Sequence, residues 1–144
     1  MTAAARLYTP ELLALAVELA EHPPLEGPSV RGEARSPTCG STLALDLALD
    51  EAGKIERLGL RVRACAVGQA AAAIFARHAP GRGSGEMAET LRQLESWLAG
   101  DSPPPEWPDL QLVAPARAYP ARHGAMLLPW KAASAALSSA AAAG

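Results

Sequence analysis

At 144 residues and 14.9 kDa the chain is long enough to bury a core that stands without disulfide or metal staples. Its net charge of -2 and pI near 5.9 exclude the basic field that nucleic-acid binding or docking on an anionic membrane requires. Hydrophobic residues make up 49% of it but aromatic residues only 4%, which predicts a core of Leu, Val and Ala with a few large anchors, a mix that favours helix.

The N-terminal stretch "MTAAARLYTPELLALAVELAEHP" is interrupted by Glu11, Glu18 and Glu21 and lacks the positive start and small-residue cleavage site of a secretory signal. The long apolar stretch from Gly124 to Gly144 holds Pro129 and Lys131 and is carried by alanines, too weak in transfer energy for a membrane span. A soluble, cytoplasmic protein is expected, with neither nucleic acid nor membrane as partner. Cys39 and Cys65 could form at most one disulfide, and reduced thiols are the better default.

In chain order, Thr9, Pro10 and Glu11 read as a helix start, with a capping hydroxyl, proline at the first position and a carboxylate in the first turn. Leu12, Ala16 and Leu19, flanked by Leu13, Val17 and Ala20, give an apolar stripe that the "HPP" run ends near His22. Residues 25 to 38 read as loop or irregular edge strand. Leu43, Leu45, Leu47 and Leu49 then alternate with Ala44, Asp46 and Ala48, the period-two signature of a strand with one buried face. After a turn over residues 50 to 53, Leu58, Leu60 and Val62 alternate with Arg57, Gly59, Arg61 and Arg63, predicting a second strand antiparallel to the first.

A helix beginning near Cys65 follows from the alanine density of "ACAVGQAAAAIFARH". Met87, Leu91, Leu94 and Leu98 predict another, closed by Gly100. The "DSPPPEWPD" connector is stiff, and the segment from Val113 to Leu137 is expected to be largely helical with a boundary or kink at Pro129. Residues beyond about 138 form a low-complexity tail expected to fray. A hairpin followed by helices, without strand-helix-strand alternation, predicts a single α+β domain over residues 1–144: a small antiparallel sheet of about three strands with helices packed on one side.

Two thiols deserve chemical attention. Cys39 precedes the first strong strand and Cys65 ends the second, so antiparallel pairing brings them to one rim of the sheet. A thiol at a helix N-terminus meets unpaired amides that favour the thiolate, the form that binds metal or attacks sulfur. On spacing alone the plainer reading is two small buried hydrophobes. His123, between Arg122 and Gly124 at a helix start, reads by itself as an exposed or capping residue, and His22 and His78 as helix-end residues. "GRGSGE" at 81–86 follows a helix and lacks the Lys-Ser/Thr ending of a phosphate loop, so no nucleotide site is expected.

"PTCGS" followed by alternating strands, then "ACAVGQAAAAIF", then "AYPARHGAMLLPWKAASAAL", resembles the U-type iron-sulfur cluster scaffold family: IscU, SufU and the N-terminal domain of NifU. The resemblance runs from "YTPELLALAVELA" to Leu137 and implies the SufE/NifU-like α+β fold. In that family a Pro-x-Cys-Gly-Asp loop, a cysteine before a helix and a third cysteine opening the last helix bind a nascent [2Fe-2S] cluster or zinc. Cys39 takes the first cysteine position and Cys65, 26 positions later, the second. Ser41 stands at the aspartate position and Gly124 at the third cysteine, with His123 directly before it. The implied set for iron, a [2Fe-2S] cluster or zinc is therefore Cys39, Cys65 and His123, with Ser41 as a weak fourth donor. Four protein ligands are usual for structural zinc and for a cluster, so weak or transient binding follows.

The long connection from Cys65 to the last helix is SufU-like. The Leu-Pro-Pro-Val-Lys chaperone-docking signature of IscU has no counterpart, the matching stretch reading Tyr119, Pro120, Ala121 and Arg122. What the resemblance implies is a scaffold or sulfur acceptor rather than an enzyme, working as a monomer or weak dimer with a cysteine desulfurase and other iron-sulfur assembly proteins. Two further readings remain: a zinc-binding SufU-type sulfur-transfer protein, and a non-catalytic interaction protein that kept the fold and lost the cluster.

Overall fold

A computed structural model of the chain describes residues 7–27, 30–38 and 40–143. Helix α1 (Pro10–Glu18) begins as its sequence predicts, with the Leu12 amide donating to Thr9 Oγ1 at 3.1 Å, a cap whose loss costs about 1 kcal/mol. Leu12 and Leu15 are buried, whereas Leu13 and Val17 are 46% and 76% exposed, so the apolar stripe is narrower than expected.

Strands β1 (Val30–Arg35), β2 (Thr42–Leu49) and β3 (Ile55–Arg63) form an antiparallel sheet in the order β1-β2-β3. Leu43, Leu45 and Leu47 pair with Val62, Leu60 and Leu58, and this face turns toward the helices. The segment 25–38 thus holds a true edge strand, in which Arg35 pairs with Thr42 and Val30 with Leu47. The opposite face carries Arg31, Glu33 and Arg35 on β1 and Arg57, Arg61 and Arg63 on β3, all exposed.

Helices α2 (Ala66–His78), α3 (Ser84–Leu98) and α4 (His123–Ala143) complete the structure, and α4 packs across β1 and β2. At Gly32 in β1 a methyl group would overlap the Ala132 carbonyl oxygen of α4. Only a residue without Cβ lets helix and strand approach this closely. Three of the large rings are concentrated in one place. Phe75 stacks on Trp107 with centroids 5.8 Å apart, and Trp130 meets both edge-on at 5.7 and 5.3 Å. Trp107, delivered by the proline-rich connector, donates from Nε1 to the Ile74 carbonyl at 3.2 Å and has the Arg82 guanidinium over its ring at 3.9 Å.

Two expectations about the C-terminal third are corrected. The helix does not begin near Val113: residues 110–122 are three 3-10 turns, Leu110–Leu112, Ala114–Ala118 and Pro120–Arg122. Pro115 and Pro120 lack the amide an α-helix needs there, and proline also pushes its predecessor out of the α region, as Tyr119 shows with φ -118° and ψ 87°. Of the boundary or kink expected at Pro129, the boundary is excluded, since the residue lies inside α4. Leu128, Trp130, Ala132 and Ala133 around it are 0–1% exposed, and their burial offsets the lost hydrogen bond.

One crossing closes the fold on the outer face of the sheet. The His22 carbonyl accepts from the Leu60 amide at 3.0 Å, and residues 23–25 then pass over Gly59, where a Cβ would lie 2.7 Å from the Leu25 nitrogen. Asp46, 1% exposed, holds this strap: it accepts from the Leu25 amide at 3.2 Å and from Arg31 Nε at 2.8 Å. A buried carboxylate is tolerated because each oxygen has a donor.

Candidate functional site

The site is the rim where three segments meet: the loop 36–41 between β1 and β2, the step from β3 into α2, and the start of α4. Pairing of Arg35 with Thr42 and of Thr42 with Arg63 brings the first two together. The loop is closed by the Ser36 amide donating to the Ser41 carbonyl at 2.8 Å and the Gly40 amide to the Ser36 carbonyl at 2.9 Å. Gly40 has φ +72°, a left-handed turn that glycine adopts at no steric cost. Cys39 lies outside the described residues.

Cys65 is the N-cap of α2, with φ -65°, ψ 170° and its carbonyl accepting from the Gln69 amide at 3.0 Å. Its side chain makes no capping hydrogen bond and is a half-buried free thiol packed at the edge of the core. Alanine density fixes the helix, but a glycine fixes where it goes: a Cβ on Gly68 would lie 2.7 Å from Ala64 Cβ and 3.2 Å from Ala125 Cβ. The first turns of α2 and α4 are therefore in contact, so the end of α2 that Cys65 caps and the start of α4 lie on the same side of the fold.

His123, the first residue of α4, is half-buried, with Nε2 2.7 Å from the Arg117 carbonyl oxygen. A carbonyl only accepts, so Nε2 is the donor in this contact. The contact fixes the orientation of the imidazole ring at the start of α4. Ser41 is buried, 5% exposed. A hydroxyl is far cheaper to bury there than a carboxylate would be.

Gly124 is where the structure adds most. A Cβ at this position would overlap Ser36 Oγ and lie 3.1 Å from Ser36 Cβ. The space that any side chain at 124 would need is occupied by Ser36, which is 2% exposed. Sequence reading gave Ser36 no role; its signal was only its place before Pro37. Among the described residues no group of three or more His, Cys, Asp or Glu side chains is placed to hold a metal ion.

A second polar cluster lies apart from the rim. Asp109, with φ 67°, accepts from Arg77 at 3.2 Å and lies 2.7 Å from His78 Nε2, while Arg77 also clamps Glu18 at 2.6 and 2.8 Å. The hydrogen bond from His78, then that from Arg77, holds Asp109 below the usual carboxylate range, and Arg77 does the same to Glu18. His78 is therefore anchored by a carboxylate as well as by its helix end. Among the described residues no helix is long and apolar enough to cross a membrane.

No family model and no curated protein matches the sequence. Solved structures do. A nitrogen-fixing NifU-like protein (N-terminal) from Brucella abortus is 27% identical, with a TM-score of 0.84 over 95% of this chain and 96% of that one. A candidate iron-sulfur cluster assembly scaffold protein for the SUF system of Fervidobacterium islandicum AW-1 is 22% identical, with a TM-score of 0.78 over 92% of this chain and 97% of its own. Over nearly its whole length the chain is similar in fold to these NifU-like and SufU-type structures, a divergent likeness to the U-type iron-sulfur cluster scaffold family.

Proposed function

We propose that this protein accepts sulfur from a cysteine desulfurase on Cys39 and Cys65 and serves as a scaffold-like carrier in iron-sulfur cluster assembly, without turning over a substrate of its own. The observation that carries this reading is the thiol of Cys65 at the N-cap of α2, beside the loop that bears Cys39 and within reach of the first turn of α4. Cys65 thiolate attacks the outer sulfur of the donor's persulfide. The donor's S–S bond breaks, the donor leaves as a thiolate, and Cys65 carries the new persulfide, so no external oxidant is needed. Amides at the helix start lie beside the charge of attacking and departing sulfur.

Iron, or a [2Fe-2S] cluster, is then cargo rather than a resident group. Cys39, Cys65 and the Nδ1 atom of His123 are the donors offered to it, with the Ser41 hydroxyl as a weak fourth. Glycine at 124 contributes none, and Ser36 fills that space, so the cargo is held loosely and handed on. The same shortage of ligands argues against a stable zinc site, which takes four protein ligands. A single domain working in the cytoplasm with other assembly proteins fits this reading.

The test is reconstitution of the full chain with ferrous iron, a desulfurase and cysteine, followed by visible absorption and by mass spectrometry of each thiol. Persulfide on Cys65, with charge-transfer bands that bleach readily, is the expected result. No sulfur on either thiol and no bands would leave the fold and remove the role. Full cellular function in a chain lacking both cysteines would establish a non-catalytic interaction protein instead. Stoichiometric zinc in protein purified without added iron, lost in Cys39→Ala, would establish the zinc-type sulfur-transfer protein.

A further inference from the structure

The outer face of the sheet carries a charge that the whole-chain balance conceals. Pairing sets Arg35, Thr42 and Arg63 in one row across β1, β2 and β3, and Glu33, Ala44 and Arg61 in the next. The middle strand contributes small side chains and the flanking strands long ones. The result is a trough of about 450 Å3 lined by Glu33, Arg35, Thr42, Ala44, Arg61 and Arg63. Its walls stand two strand spacings apart, roughly 9 to 10 Å.

Little in the fold neutralises these walls. Arg61 reaches Asp46 only at 3.7 Å, and that carboxylate already accepts from Arg31 and from the Leu25 amide. Neither Arg35 nor Arg63 has a carboxylate within ion-pair distance among the described residues. Three guanidinium groups therefore share one trough with a single carboxylate, Glu33. Like charges facing one another across a trough repel, and an anionic occupant turns that repulsion into attraction.

Position and spacing narrow the occupant. Arg63 is two residues before Cys65 and Thr42 directly follows Ser41, so the trough opens onto the cysteine rim. Arg61 and Arg63 are two residues apart on one strand, about 6.6 Å, the spacing at which an extended segment presents every second side chain.

We propose that this trough docks an acidic, extended segment of the sulfur-donating protein, its alternate carboxylates on Arg61, Arg63 and Arg35, and thereby holds the donor beside the rim. The identity of that partner rests on the sulfur-acceptor reading above; the chemistry of the contact does not. The probe is a fluorescein-labelled ten-residue peptide alternating Glu and Thr, titrated into the full chain and followed by fluorescence anisotropy.

Saturable binding is expected, weakening steeply as salt rises from about 20 to about 150 mM. Binding should be at least tenfold weaker in Arg35→Glu/Arg63→Glu, with backbone amide shifts centred on Thr42 and Ala44. The milder Arg35→Gln/Arg63→Gln pair guards against misfolding: it should keep the native melting temperature and lose a few-fold in affinity. Unchanged affinity in this pair, or tighter binding of the Lys/Thr peptide or of duplex DNA, overturns the proposal.

The two readings fail separately. Peptide binding needs no thiol and should survive Cys65→Ala. Sulfur transfer with an unchanged KM in Arg35→Gln/Arg63→Gln overturns the docking site and leaves the acceptor role. Charge-dependent peptide binding by a chain that takes no sulfur overturns the acceptor role and leaves the acidic-segment site.

Discussion

Helices α2 and α4 meet in two places that are built on opposite principles. Along their middles Phe75, Trp107 and Trp130 fill the interior with rings in mutual contact. At their N-termini Gly68 and Ala125 let the backbones nearly touch. The first contact supplies stability through buried area and the second supplies position, since it sets how far Cys65 stands from His123. Residues at the rim can vary without loss of the fold, because the rings that hold the helices together lie at the other contact.

The largest expected effect comes from breaking the aromatic contact. Trp130→Ala should cost about 3–5 kcal/mol in urea unfolding, while a Cys65 thiol titrated with a disulfide reagent in the surviving native state reacts at its usual rate. Gly68→Val attacks the other contact. Its side chain must displace Ala64 or Ala125, at a cost of about 2–3 kcal/mol from overpacking, and here the thiol's reactivity should shift along with stability.

Gly124→Cys sharpens the comparison further. Alone it drives a side chain into Ser36 and should lose about 1–2 kcal/mol without gaining tight metal binding. Paired with Ser36→Gly it should regain most of that stability and bind iron more tightly than the parent, read by metal retention on a desalting column. Equal metal retention in the single and double variants would show that Ser36 does not block the third position.

The smallest effect lies away from both contacts. Asp109 is held below its ordinary range by His78 first and Arg77 next. A carboxylate with a lowered folded pKa contributes stability above its unfolded value, about 3.9, and loses it as pH falls through the folded value. Asp109→Asn should cost about 0.2–1 kcal/mol at neutral pH, and the gap between variant and parent in thermal unfolding should close on acidification below about pH 4. A gap that widens in acid would assign the role to another group.

Much of the frame is legible in the residues alone. Leucine alternation announces β2 and β3 because a sheet with one buried face demands period two, and the alanine run announces α2 because alanine loses least on entering a helix. Thr9 caps its helix for reasons local to four residues. The turns of 110–122 were harder, since Ala, Arg and Val there suit a helix and the two prolines decide against it. For the site, Cys65 at a helix start could be read from its neighbours, and His123 from the likeness in "RHGAM". Ser36 could not, because nothing local couples residue 36 to residue 124. The arginine trough was half visible: the alternation that revealed β3 also placed Arg61 and Arg63 on one face, but a net charge of -2 sums over directions.

By itself, then, the sequence determined where strands and helices begin, which faces they bury and which thiol opens α2, all matters of short range. The tertiary structure alone decided that Ser36 stands in the space a side chain at 124 would need, that Gly68 brings two helix starts together, and that Arg35 shares a trough with Arg61 and Arg63. Each of these depends on residues far apart in the chain whose approach is set by the packing of whole elements, and no local preference encodes a distance of that kind.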